Sequence, residues 1–248
     1  MALHISKLKV AKDSHQIIDN VTFVVESAKV VTLEGQNGSG KTTLVRAVAG
    51  DPGLTVTGSI KIDNLKIDGL TPEKRFKAGL FVSFQNPPEL PNIKVADFLK
   101  DVYFEEKSFE NCHEGSLDDF ATELSKSLLI LNLDEKILAK TMNQDFSGGE
   151  KKRLEALQML LLRPKFALLD EIDSGVDHAS LTCIAKVIKY LIEKNHTGFL
   201  IITHYQKFKD LLTVDKTLRL SSRPASPSLG GRKSRSTQKG MDPVSSTG

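Results

Sequence analysis

Long apolar runs are missing from this 248-residue chain. No stretch approaches the roughly 18 residues needed to span a bilayer, which excludes direct membrane insertion. The opening MALHISKLKV has neither the apolar core of a signal peptide nor the Arg- and Ser-rich character of a transit sequence. Cysteine is nearly absent: Cys112 and Cys183 lie far apart and form no metal-spaced or redox pair. A reducing, cytoplasmic setting fits that usage, and a metal cluster held by this chain alone does not. A charge excess suited to a polyanion is also lacking. Of the net +3, the segment 221–248 carries +4, from Arg223, Arg232, Lys233, Arg235 and Lys239 against Asp242, which leaves residues 1–220 at −1. Composition therefore offers no nucleic-acid-binding face. No internal repeat is visible.

What is present is length enough for one large α/β domain, with short β-rich runs alternating with helical patterns. VTFVVES and KVVTLEG read as strands, and KTTLVRAVAG as a short helix closed by Gly50. GSIKID is a strand, TPEKRFKAG a helix with Pro72 in its first turn, and GLFVSFQ a buried strand. From Val95 to about Leu133 the apolar spacing turns helical. GEKKRLEALQMLLLR (helix), KFALLDE (strand), LTCIAKVIKYLIEKN (helix), GFLIITH (strand) and DKTLRL (strand) follow. The alternation predicts a largely parallel sheet. The helical stretch interrupts it and predicts an inserted helical subdomain, spanning about 92–160, within a domain of residues 1–220. Residues 221–248, rich in Ser, Gly, Pro and basic side chains, have almost nothing to bury. They are expected to be a disordered appendage, of expression origin or an aberrant C-terminus.

LEGQNGSGKTTL matches G-x-x-x-x-G-K-[ST], with Gly35, Gly40, Lys41 and Thr42 in the defining places. Glycines let successive backbone N–H groups curl around a phosphate, and the helix that follows offers its positive end. Gly35, Gln36, Asn37, Gly38, Ser39, Gly40, Lys41, Thr42 and Thr43 are the expected triphosphate cradle. Lys41 reaches the β- and γ-phosphates, and the Thr42 hydroxyl ligates Mg²⁺. The loop follows a strand and opens a helix, which argues against a ligand-free glycine turn. FALLDEIDSGVD ends an apolar strand in Asp170 and Glu171, where a parallel sheet faces its ligand crevice. Asp170 suits a Mg²⁺ ligand, and Glu171 suits polarising the water that attacks the γ-phosphorus. The blander alternative is a helix N-cap at Asp170 or Asp173.

With those two sites in place, Phe146 to Glu150, FSGGE, resembles the signature of ATP-binding-cassette (ABC) ATPases, usually LSGGQ. Gln85, Asp177 and His204 fall in the order of that family's Q-loop, D-loop and switch histidine. The resemblance spans about residues 3–220. It implies an α/β P-loop NTPase of the ABC ATPase type, with a mostly parallel core sheet, an N-terminal antiparallel β part and the inserted helical subdomain. It also implies that ATP and Mg²⁺ lie between two chains packed head to tail. Lys41, Thr42, Gln85, Asp170, Glu171 and His204 of one chain would face Ser147, Gly148, Gly149 and Glu150 of the other, with Asp177 beside the nucleotide. In that scheme Glu171, His204, Gln85 and Lys41 are catalytic, and Thr42, Gln85 and Asp170 surround the metal.

A narrower likeness is to the SufC family, the ATPase subunits of SUF iron–sulfur cluster assembly. FSGGEKKR with the LQM after it, LDEIDSGVD where transporters commonly read LDEPTSGLD, THYQ and FQNPPELP carry it. It implies SufB- and SufD-like scaffold subunits as partners. The alternative is the nucleotide-binding subunit of an ABC transporter. DNA-repair ATPases of the ABC type need a very long coiled coil between phosphate loop and signature, and the interval from Thr42 to Ser147 is too short for it. In either surviving reading the stretch 95–133 is the expected docking surface, unless charges such as Glu105, Glu106 and Lys107 form only a solvated helix face. Two departures stand out. VAKDSHQII has no aromatic where the family often stacks adenine, His15 being the nearest ring, and the likeness stops at Leu220.

Overall fold

A computed structural model of the chain describes residues 1–83, 85, 89–107 and 116–221. The segment expected to be disordered, beyond Ser221, lies outside the described residues, as do Cys112 and the side chains of Glu106 and Lys107.

The elements run in the order β1 (Ala2–Lys12), β2 (His15–Glu26), β3 (Val30–Glu34), α1 (Lys41–Ala49), β4 (Thr55–Ile62), β5 (Leu65–Lys66), α2 (Pro72–Lys77), β6 (Leu80–Ser83) and β7 (Leu90–Lys94). Then come α3 (Val95–Lys107), α4 (Leu117–Leu131), a 3₁₀ turn (Glu135–Ala139), β8 (Thr141–Met142), α5 (Gly148–Leu162), β9 (Phe166–Asp170), α6 (His178–Asn195), β10 (Gly198–Ile202), α7 (Gln206–Asp210) and β11 (Lys216–Arg219). The central sheet has the order β11-β3-β10-β9-β6, and every pairing in it is parallel. A separate antiparallel sheet, β2-β1-β4-β5, forms from the N-terminal third. The fold is the α/β arrangement expected.

Strands β3, β6, β9 and β10 of the central sheet are buried on both faces, while the edge strand β11 is largely exposed, and the two-residue period of a strand sorts the buried side chains into two cores. Leu168, Leu200 and Ile202 point to one core with Leu44, Val45 and Val48 of α1 and the antiparallel sheet. Ala167, Leu169, Phe199 and Ile201 point to the other, with α3, α4, α5 and α6. α1 is thus clamped between two sheets, and its N-terminal end opens at the C-terminal edge of the parallel one.

Two features were not legible as read. β1 shows no clean alternation because its inward set changes parity, from Leu3 and Ile5 to Leu8 and Val10. A register shift between Ile5 and Leu8, with Lys7 at φ 49°, switches the faces. The inserted region is also not purely helical, since β7 and β8 pair as a short antiparallel ribbon before α3 and α5.

Arg75 on α2 holds α1 in place from its far end. Its guanidinium is 3% exposed and donates to four carbonyls: Ala47 (2.9 Å) and Val48 (2.8 Å) at the end of α1, and Leu70 (2.9 Å) and Asp68 (2.7 Å). A cation at a helix C-terminus also complements the macrodipole. Replacing it by alanine strands buried carbonyls. Arg75→Ala is expected to lower unfolding free energy by about 3 kcal/mol, read as a lower urea midpoint. An unchanged midpoint would show that the guanidinium is dispensable.

Candidate nucleotide-binding site

The loop Gly35–Gly40 connects β3 to α1. Gly40 is the N-cap of α1 at φ 97°, a left-handed conformation that glycine adopts without steric cost, and no side chain caps the helix. The first N–H groups of α1 are therefore left for an anion. Lys41 is 6% exposed, and its ammonium donates to the carbonyls of Gly35 (2.7 Å) and Gln36 (3.0 Å), folded back over the loop. The Ser39 hydroxyl is buried in the same loop with no hydrogen-bond partner.

β9 delivers the carboxylates. Asp170 is its last residue and is 1% exposed. Burial pushes its carboxyl above the usual range; the Thr42 hydroxyl bonded to it opposes that, and Glu171 beside it adds to it. Its Oδ1 atom has no hydrogen-bond partner. An unpaired buried carboxylate oxygen next to the Thr42 hydroxyl is a hard-oxygen donor set, and it fits Mg²⁺. Neither Asp170 nor Asp173 is a helix N-cap; that place belongs to Asp177.

Glu171 has φ 50°, a left-handed conformation that costs a non-glycine residue on the order of 1–3 kcal/mol and concentrates at functional sites. Gln85, just past β6, donates from its Nε2 to Glu171 Oε2 at 2.6 Å. That bond leaves the Gln85 carbonyl oxygen as the group available to a cation.

Two cavities meet here. One of about 610 Å³ is lined by Ile17, Lys41, Thr42, Thr43, Gln85 and Glu171, together with Asn37, Gly38 and Gly40. The other, of about 910 Å³, is lined by Glu171, Asp173, Gly175, Asp177, His204 and Tyr205, with Asn37 again in its wall. Asn37 and Glu171 are common to both, so Lys41 and His204 line adjoining cavities that share Glu171 in their walls. Ile17, Ser174, Gly175, Val176 and Tyr205 also line these cavities, and reasoning from the sequence did not single them out as site residues. Ile17 is turned towards the loop by a register shift in which Val10 pairs with Ile18 but Ala11 with Gln16, and nothing in the residue pattern marks it.

Ser147, Gly148 and Gly149 line neither cavity. Ser147 and Glu150 instead form a capping box at the head of α5: Ser147 N donates to Glu150 Oε2 (2.9 Å), and Glu150 N to Ser147 Oγ (3.2 Å). The glycines let α5 approach its own chain. A Cβ on Gly148 would sit 3.0 Å from the Gly175 carbonyl, and one on Gly149 would sit 3.0 Å from both Asp177 Oδ2 and Ser180 Oγ. Asp177 caps α6 by accepting from Ser180 N (2.9 Å) and Ser180 Oγ (2.6 Å).

A family model described as ABC transporter matches residues 18–174. The chain belongs to that family and is an ABC-type ATPase. A probable ABC transporter ATP-binding protein of Streptococcus pyogenes serotype M18 is 39% identical over 214 residues, covering 86% of this chain and 82% of the relative. A probable ATP-dependent transporter, ycf16, of Cyanidium caldarium is 37% identical over 215 residues, covering 86% and 84%. Among solved structures, an ATP-binding subunit of an ABC transporter superposes with a TM-score of 0.75 at 21% identity, covering 90% of this chain and 89% of that one. An ATP-binding cassette in a dimeric post-hydrolysis state with ADP and phosphate gives 0.72 at 21%, covering 90% and 97%. At that identity the superpositions speak for the fold of this ABC ATPase. Among its described residues no helix is long and apolar enough to cross a membrane.

The capping box makes a pH-dependent prediction. The Glu150 carboxyl is held below the usual carboxylate range, chiefly by the Ser147 backbone N–H and then by the Ser147 hydroxyl. A depressed pKa contributes stability that is complete above the unfolded value and is lost as pH falls through the folded one. Glu150→Ala should therefore cost about 1 kcal/mol at pH 7, and the gap from wild type should close in acid. Urea titrations at pH 7 and pH 3 check this; a gap that persists undiminished at pH 3 would rule the carboxylate out.

Proposed function

We propose that the chain hydrolyses ATP at a site completed by a second copy, and that it drives shape changes in a SUF-type iron–sulfur cluster scaffold. The observation that carries the first part is the pair of adjoining cavities: Lys41, Thr42, Asp170, Gln85, Glu171 and His204 line or flank them, while the signature residues do not. In this reading the N–H groups of Gly38–Thr43 and the Lys41 ammonium bind the triphosphate. To do so Lys41 exchanges the Gly35 and Gln36 carbonyls for phosphate oxygens. Thr42, Asp170 and the Gln85 carbonyl would hold Mg²⁺, which when bound neutralises charge on the β- and γ-phosphates.

Glu171 takes a proton from the water aligned with the γ-phosphorus, and Gln85 orients that carboxylate through the bond it already makes. His204, on the far side of Glu171, donates to the γ-phosphate as charge builds there. Ser147 and the Gly148 and Gly149 amides of a second chain close the site, with the head of its α5 helix supplying positive potential. Asp177 holds the loop between β9 and α6 against its own chain's signature. Glu171→Gln is expected to bind ATP within a few-fold of wild type and to lose at least ~100-fold in turnover. Wild-type turnover in that variant would remove Glu171 from the chemistry.

The scaffold reading is supported by the local sequence FSGGEKKR, LDEIDSGVD, THYQ and FQNPPELP, with SufB- and SufD-like subunits as the partners that hold metal and sulfur. The names of the relatives favour a second reading, the nucleotide-binding subunit of a transporter. Affinity capture of the full chain from source-cell lysate, with and without detergent, separates them. Soluble partners carrying iron and labile sulfide are expected. A partner recovered only in detergent and rich in membrane spans would establish the transporter reading instead.

A further inference from the structure

His204 lies in the short link between β10 and α7, and both flanks of that link are fastened. On one side Thr203, 1% exposed, donates from Oγ1 to Asp173 Oδ2 at 2.7 Å and accepts from Tyr205 N at 3.0 Å. On the other side α7 is anchored by the fully buried Phe208 and by Lys209, whose ammonium meets Glu34 Oε1 at 2.5 Å. The Lys209 side chain is 16% exposed and that of Glu34 30%, so their attraction is screened less than that of a surface pair. The Glu34 carboxyl is held below its ordinary range, first by the Lys209 hydrogen bond, with Arg219 and His204 also acting on it through space.

Glu34 is the last residue of β3 and directly precedes Gly35. A carboxylate beside a loop built to receive a polyanion is electrostatically unfavourable unless it is neutralised, and Lys209 neutralises it. The same contact joins the helix after His204 to the strand that delivers the phosphate loop. Thr203–Asp173 ties the opposite flank to the loop after Glu171. The His204 link is thereby spanned between the two loops that must cooperate in hydrolysis.

We propose that the Lys209–Glu34 pair is a positioning device for hydrolysis, holding His204 at its working distance from the phosphate loop without either member touching ATP. This rests on the role of His204 proposed above. A pair that only stabilised the fold would act whether or not His204 is present, and that difference is measurable.

The test uses the full chain, with steady-state ATP turnover and equilibrium ATP binding for Lys209→Met, Lys209→Arg, Glu34→Gln, His204→Ala and the Lys209→Met/His204→Ala double variant. A small displacement of a reacting group can cost from ~10-fold upward. Lys209→Met and Glu34→Gln should each lower kcat about tenfold and leave the ATP Kd within about threefold. Lys209→Arg should stay within about threefold of wild type. In the His204→Ala background Lys209→Met should cost nothing more, because both changes remove the same contribution. Where Lys209→Met does not fold, Glu34→Gln carries the same comparison from the other side. A further tenfold loss in the double variant, or wild-type kcat in Lys209→Met beside an impaired His204→Ala, overturns the inference alone. Wild-type kcat in His204→Ala overturns the role of His204 and the inference with it.

Discussion

Leu33, Ile202 and Asp170 lie side by side because β10 pairs in parallel register with both β3 and β9: Ile202 is opposite Leu33 on one flank and Asp170 on the other. That ladder brings three chain segments to the same edge of the sheet at the same height. The phosphate loop leaves β3, the Asp170–Glu171 pair ends β9, and Thr203–His204 leaves β10. An antiparallel neighbour at any of these positions would send one segment to the opposite edge. Both sheet faces are covered by helices or by the second sheet, as parallel strands require, so the reactive groups are left at the edge, where solvent and substrate have access.

Electrostatics then sort the groups at that edge. Asp170 is buried with an unpaired oxygen and a raised pKa, while the phosphate-loop amides and Lys41 supply positive character a short way off. Each half of the site carries a polar imbalance that a phosphate–cation pair would relieve together. Lys41, in partly buried surroundings, satisfies its ammonium with two carbonyls, while Glu171 bonds Gln85 at the exposed side of the site.

The residues Ser147–Glu150 have a role within the chain besides the one proposed for them across a dimer. Within the chain they start α5 with a capping box and let it pack against Gly175, Asp177 and Ser180 at distances where an added Cβ would force its neighbours to shift. The same small residues leave a helix N-terminus with little bulk over it, the form of surface that accepts an anion from outside. Their tight fit against the loop between β9 and α6 links the signature mechanically to the segment that follows Glu171.

Residue types and short-range order alone determined the fold class, the phosphate loop and the strand-end carboxylates. Apolar runs, glycine spacing and strand–helix alternation express local preferences that persist whatever packs around them. The signature, Q-loop and switch residues were named by resemblance, since a lone Gln85 or His204 has no local pattern of its own. Only the tertiary structure decided that Ile17 faces the phosphate loop, that β1 changes face midway, that Gln85 meets Glu171, and that Glu34 on β3 is neutralised by Lys209 on α7. Each depends on a register shift or on a contact between segments 86 to 175 positions apart. Periodicity reports which face of its own element a residue occupies; what stands opposite that face is fixed by the packing of the whole chain.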